Sequence, residues 1–184
     1  MQPWKTKDRK IILEQPPWLV VEHHTVELPD GTLIPEWPWI ITPDYVNVVA
    51  VTEDEKFLCF RQVKYALAGE TLGIVGGFVE PGEEPFHAAQ RELLEETGCE
   101  STQWIPLGTF RTDPNRGVAM GHLFLARSVH FVKPRTADDL EEQELILLTR
   151  PQIETALAAG EFKVLAWAAS LALALRHLQA AELQ

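Results

Sequence analysis

The sequence predicts an α+β fold. Two apolar β-type runs, Tyr45–Thr52 and Phe57–Val63, stand in the first half of the chain, joined by the acidic turn Glu53-Asp54-Glu55. A helix with clear start and stop signals follows over Pro85–Thr97. A long alanine- and leucine-rich helix over Phe162–Leu183 closes the chain. Several strands with two or three helices make this class, and 184 residues at 46% hydrophobic supply a substantial core.

Taken in order, residues 1–15 are polar and expected to be irregular at first. Trp18–Leu28 is rich in β-formers, Asp30-Gly31 is a hairpin turn signal, and Thr32–Ile34 begins a return strand. Pro35, Pro38 and Pro43 suit an edge or a crossing arm better than a central strand. The expected organisation is therefore a β-arm over residues 1–42 and a main domain over residues 43–184. Trp18, Trp37 and Trp39 in the arm are either core or interface, where tryptophan is enriched. Thr71–Val75 is a short strand. Trp104–Phe110 and Gly121–Val129 are strands around a loop, Arg111–Met120. Leu145–Leu148 is a short strand, and Gln152–Ala158 a short helix ending at Gly160.

A net charge of −11 argues against sequence-independent nucleic-acid binding or an anionic membrane surface. The apolar run Val164–Leu175 is too short to span a bilayer, and the N-terminus lacks a secretory apolar run. The two cysteines, Cys59 and Cys99, read as free buried thiols, which fits a reducing cytoplasm. The six histidines share no metal spacing, and no serine or cysteine sits in a nucleophile motif.

The chemistry concentrates between Gly77 and Cys99. Pro85 suits the first helical turn, and Gly98 can take the left-handed conformation that stops a helix. Phe86, Ala89, Leu93 and Thr97 share one side and should pack on a core. Glu92, Glu95 and Glu96 crowd an adjoining face, where they repel unless a cation intervenes. Hard divalent ions such as Mg²⁺ take oxygen ligands and share them with substrate phosphates. Arg91 can steady Glu95 by an i,i+4 contact.

The order Gly77, five residues, Glu83, seven residues, Arg91-Glu92-Leu93, one residue, Glu95-Glu96, one residue, Gly98-Cys99 resembles the Nudix box. The resemblance implies a mixed sheet sandwiched between helices. It also implies a Mg²⁺-dependent hydrolase of a nucleoside diphosphate linked to another group, with Mn²⁺ as a possible substitute. On this reading Gly76 (through its carbonyl), Glu83, Glu92, Glu95 and Glu96 hold metal. A Nudix-like module that senses ligands without catalysis is the alternative from another class.

Outside the box, Arg61-Gln62-Val63-Lys64 resembles the Arg-Gln-x-Arg segment of ADP-ribose pyrophosphatases. Arg61 could grip phosphate or the terminal ribose, with Gln62 beside it, or could sit in a surface ion pair. Pro114 lies at the distance past the box where those enzymes tend to carry proline, and Arg111 and Arg116 flank it as ligand contacts or solvated loop arginines. Glu-Leu-Pro-Ala-Gly is usual before their box, whereas this chain reads Gly73-Ile74-Val75-Gly76-Gly77. The arm resembles the sheet they use to dimerise, so Trp37 or Trp39 could stack on a base in a homodimer. A general base is expected in Asp138–Glu144. Glu142 is favoured, with Glu141, Glu144 and the box glutamates, Glu95 among them, as rivals. The implied reaction is ADP-ribose to AMP and ribose 5-phosphate, with another nucleoside diphosphate sugar or a nucleoside triphosphate as the alternative substrate.

Overall fold

The computed structural model describes residues 1–136 and 142–182. The chain divides into two compact units. The first comprises Met1–Asp44 and Phe110–Met120, the second Tyr45–Thr109 and Gly121–Gln184.

The first unit holds an antiparallel sheet in the order β1 (Lys5–Gln15), β2 (Leu19–Glu27), β3 (Leu33–Ile41). The expectation of an irregular start is corrected here. Residues 5–15 form a full strand paired with β2 from Lys5↔Glu27 to Gln15↔Leu19, with two bulges. Its side chains are all exposed, so the strand comes from backbone pairing with β2 rather than from an apolar face, and local patterning does not reveal that. The turn at Asp30-Gly31 is as expected. Gly31 has φ +86°, and the Thr32 N–H donates to Asp30 Oδ1 at 2.9 Å. Pro35 and Pro38 lie on β3, which is an edge strand, where a missing N–H is tolerated.

The second unit is built on a mixed sheet ordered β11-β5-β4-β10-β8. Its strands are β4 (Tyr45–Thr52), β5 (Lys56–Val63), β6 (Glu70–Gly73), β7 (Val75–Phe78), β8 (Cys99–Glu100), most of β9 (Gln103–Asp113) and of β10 (Val118–Phe131), whose ends within Phe110–Met120 belong to the first unit, and β11 (Gln143–Thr149). Its helices are α1 (Pro85–Thr97), α2 (Arg150–Ala158) and α3 (Leu165–Glu182). β4 and β10 run parallel, while β5 and β7 flank β4 antiparallel.

Side-chain alternation splits the core. Val46, Val48 and Ala50 of β4, with Leu58 and Phe60 of β5, pack with Ala88, Ala89 and Leu93 of α1. Val49 and Val51, with Phe57 and Cys59, pack with Ile153 of α2 and Leu171, Ala174 and Leu178 of α3. The sheet thus has helices on both faces. Cys59 and Cys99 are free and buried, and burial pushes the Cys59 thiol up to about 12.

Three further expectations change. The single strand over Thr71–Val75 is two, because the chain leaves β5 for β4 around the buried Ile74. The Arg111–Met120 loop is mostly strand, with only the turn 114–117 unpaired. There Arg111 donates to the Gly117 carbonyl and Asp113 accepts the N–H groups of Asn115 and Arg116. The last helix starts at Leu165, with the Val164 carbonyl accepting the first backbone bonds, from Trp167 and Ala168. Its expected end at Leu183 lies outside the described residues. No helix among the described residues is long and apolar enough to cross a membrane.

Candidate active site

Helix α1 begins with Pro85 in its first turn and ends at Gly98, whose φ of 72° is left-handed and whose N–H reaches the Leu94 carbonyl at 2.9 Å. Ala88, Ala89, Leu93 and Thr97 are buried. Phe86, expected in the core, is 39% exposed and instead meets Trp104 edge-on at 5.4 Å. This registration turns the acidic face toward β7.

Arg91 is the centre of that face. Its Nε and Nη2 grip both oxygens of Glu83 at 3.0 Å, and Nη1 reaches Glu92 at 2.8 Å and Glu95 at 3.1 Å. Nη2 also donates to the Phe78 carbonyl at the end of β7. The Arg91 hydrogen bonds hold Glu83 below the usual carboxylate range, and Glu83 in turn holds Arg91 firmly protonated. Glu92 is pushed upward by burial, partly offset by Arg91. Glu96 accepts the Gly76 N–H at 3.0 Å. A methyl group at Gly77 would overlap the Glu92 carboxylate, so glycine is what lets β7 lie against the acidic face.

The structure therefore gathers Gly76, Glu83, Arg91, Glu92, Glu95 and Glu96. Four carboxylates against one guanidinium leave an excess of negative charge and of hard oxygen donors, a set that suits a divalent cation. Among the described residues no three acidic, histidine or cysteine side chains already surround one point. The reason is visible: Arg91 engages Glu83, Glu92 and Glu95, and the Gly76 amide engages Glu96.

The remaining candidates lie elsewhere. Arg61 points to the α2–α3 face, beside Leu72, Ile146 and Leu148, with Glu70 at 3.5 Å and Glu144 at 4.0 Å. Gln62 is buried against Gly73. Glu142 is exposed just before β11, and Glu141 lies outside the described residues. In the first unit, Pro114, Trp37 and Trp39 share a cleft of about 310 Å³ with Trp4, Lys5 and His24. Trp37 donates to the Asn115 carbonyl, and His24, bonded to Glu22 at 2.6 Å, stacks on Trp39 at 5.0 Å. Arg116 pairs with Asp113 at 3.0 Å.

Residues 42–168 match the NUDIX domain model. The chain belongs to the Nudix family. Members of the family generally use divalent cations, in keeping with the donor set on α1. Residues 4–40 match a second model, the nucleoside diphosphate sugar hydrolase N-terminal domain. An ADP-ribose pyrophosphatase of Bacillus subtilis is 31% identical over 157 residues, covering 85% of this chain and 83% of that protein. The methanol dehydrogenase activator of Bacillus methanolicus is 33% identical over 134 residues, covering 72% and 70%. A crystal structure of an ADP compounds hydrolase superposes with a TM-score of 0.83 at 19% identity, covering 98% of this chain and 96% of that one, and shows that the Nudix fold is shared. With the NUDIX domain match and a pyrophosphatase relative, this Nudix chain is a hydrolase.

Proposed function

We propose that the protein hydrolyses the diphosphate of a nucleoside diphosphate sugar with Mg²⁺, and that ADP-ribose is the substrate, giving AMP and ribose 5-phosphate. The observation that carries this reading is the Arg91-centred carboxylate cluster in a chain whose residues 4–40 match the N-terminal domain of nucleoside diphosphate sugar hydrolases. The similarity to an ADP-ribose pyrophosphatase supports the choice of sugar nucleotide.

In this reading Glu92, Glu95 and Glu96, with Glu83 and the Gly76 carbonyl, hold the cation. The bound ion supplies Lewis acidity toward the phosphoryl oxygens and acidifies a water. Arg91 keeps Glu83, Glu92 and Glu95 in one array, and the Gly76 amide keeps Glu96 against β7. Glu142, or a box glutamate such as Glu95, accepts the proton of the attacking water. A P–O bond to water forms as the bridging P–O bond breaks, and no covalent intermediate with the protein is needed. The β-arm, residues 1–42, builds a homodimer, and Trp37, Trp39, Pro114, Arg111 and Arg116 meet the nucleoside end. Arg61 and Gln62 remain candidate contacts for the terminal sugar. Two free buried thiols support a cytoplasmic setting.

The test is incubation with ADP-ribose and Mg²⁺, followed by separation of the products. Equimolar AMP and ribose 5-phosphate are expected, abolished by chelation. Turnover of other nucleoside diphosphate sugars with ADP-ribose left intact would replace the substrate. That second reading is favoured by Gly73-Ile74-Val75-Gly76, which departs from the Glu-Leu-Pro-Ala usual in ADP-ribose pyrophosphatases.

A further inference from the structure

Arg61 is loosely held beside an open cleft. By alternation along β5 it shares the face of Phe57 and Cys59, which pack with α2 and α3, and so lies on the side of the sheet away from α1. Its side chain is 48% exposed, and its ion pairs with Glu70 at 3.5 Å and Glu144 at 4.0 Å are both longer than a good charge-assisted hydrogen bond. Exposed pairs of this kind contribute little. The guanidinium fork therefore keeps most of its donors for solvent or for a ligand.

The cleft has an apolar floor and fixed walls. It measures about 360 Å³, within the range of small-molecule sites, and Leu72, Ile146, Leu148 and Ala156 line it together with Arg61. A neighbouring cleft of about 300 Å³ shares Arg61, Leu72 and Glu161 with it. The link between α2 and α3 is sewn to β6: the Leu72 N–H donates to the Glu161 carbonyl at 2.9 Å, and the Lys163 N–H donates to Thr71 Oγ1 at 3.1 Å. Gln152, which also lines the cleft, supplies a second donor. Its Oε1 is taken by the Thr149 N–H at 2.8 Å and the Thr149 hydroxyl at 2.9 Å, so its amide nitrogen is the group with hydrogen bonds to offer.

A fork of N–H donors and an amide above a hydrophobic floor match a carboxylate carried on a small apolar body, since a guanidinium grips both carboxylate oxygens at once. The surrounding charge narrows the choice. Glu70 and Glu144 flank Arg61 and Glu161 lines the cleft, so a phosphate with two negative charges meets more repulsion there than a carboxylate with one. We propose that this cleft is a second ligand site, separate from the carboxylates of α1, and that it takes a small organic monocarboxylate. Arg61 and Gln152 meet its oxygens, and its apolar part lies against Leu72, Ile146 and Leu148. Such a site is independent of the hydrolytic reading, and it competes with the terminal sugar for Arg61.

The experiment is proton–nitrogen correlation NMR of the full chain without Mg²⁺, titrated with benzoate as the probe. Saturable shifts are expected at Leu72, Gln152, Thr155 and Glu161 and not at Glu92, Glu95 or Glu96, with a dissociation constant of about 1 mM for so small a ligand. Benzamide, of the same shape without the charge, should bind about tenfold more weakly, and phenyl phosphate should also bind more weakly than benzoate. Arg61→Gln should erase the preference for benzoate over benzamide. Thr155→Phe, which covers the cleft from an exposed position on α2, should weaken both. ADP-ribose added without Mg²⁺ should leave the benzoate shifts in place; displacement of benzoate would give the cleft to the substrate and overturn the second site. Shifts centred on α1, no saturation by about 20 mM, or benzamide or phenyl phosphate binding as tightly as benzoate would overturn it as well. Whether the chain hydrolyses ADP-ribose does not enter this measurement.

Discussion

At the scale of single residues, one guanidinium organises the site. Glu96 is held by a backbone N–H rather than by Arg91, so Glu96→Gln should leave the Arg91 clasp intact while removing a charge. A rate loss of about 10²-fold or more is expected, in line with other preorganised electrostatic groups. Near-normal turnover at saturating Mg²⁺ would sink the ligand assignment. Glu142→Gln, by contrast, should lower kcat with metal binding intact. Glu83 and Glu92 differ in sign. Glu83 is held below its ordinary value, so it contributes stability above about pH 4.5 and loses it as pH falls through its lowered native value. Glu92 is held above its ordinary value by burial, so its ionisation costs stability as pH rises. Arg91 serves both. Arg91→Met should flatten the rise of Tm between about pH 3 and pH 6, lower Tm at neutral pH without Mg²⁺, and enlarge the Tm gain on adding Mg²⁺. Differential scanning fluorimetry would read all three, and a pH profile parallel to wild type would contradict the clasp.

At the scale of elements, α1 is fixed at its C-terminal end by chain far away in sequence. The Gly98 carbonyl accepts the N–H groups of Val132 and Lys133, and the Glu95 carbonyl accepts that of Thr136. These bonds satisfy carbonyls that a helix end leaves open. A Cβ at Gly98 would overlap the Lys133 carbonyl, and its left-handed φ costs any other residue about 1–2 kcal/mol besides. Gly98→Ala should therefore lower Tm by about 4 °C or more for a chain of this size. An unchanged thermal midpoint would show the segment after β10 to be free to yield. The box helix was legible in the sequence because its ends and faces are local: a proline, a glycine, and carboxylates three and four apart. β4 was legible with its bounds, and β5 to within a residue, because both are largely apolar runs that the sheet buries. β1 was not, since an exposed, lysine-rich strand exists only through its partner. The close approach of Gly77 to Glu92 was not legible either, because it depends on which elements lie side by side.

At the scale of the whole molecule, the first unit shows uneven cover. Ile11, Ile12 and Leu13 of β1 and Ile41 of β3 are exposed, together with Trp18 between β1 and β2. A sheet of three strands with so much apolar surface calls for a partner, and symmetric pairs are the commonest solution. Sedimentation should find the full chain dimeric and a chain lacking residues 1–42 monomeric; a full chain that is monomeric and active at nanomolar concentration would exclude a shared site. The parallel pairing of β4 with β10 has a different consequence. Tyr45 meets Gly121, so β4 leaves the ribosome long before the strand that completes its second side. Its hairpin partners arrive first, and until β10 follows, a run of valines waits with one edge open. Nascent chains halted before Val118 should be cut readily by protease and bound by chaperones, and resistance should be complete only once α2 and α3 cover the second face of the sheet. The order of synthesis, more than final stability, then sets when this protein is most exposed to aggregation.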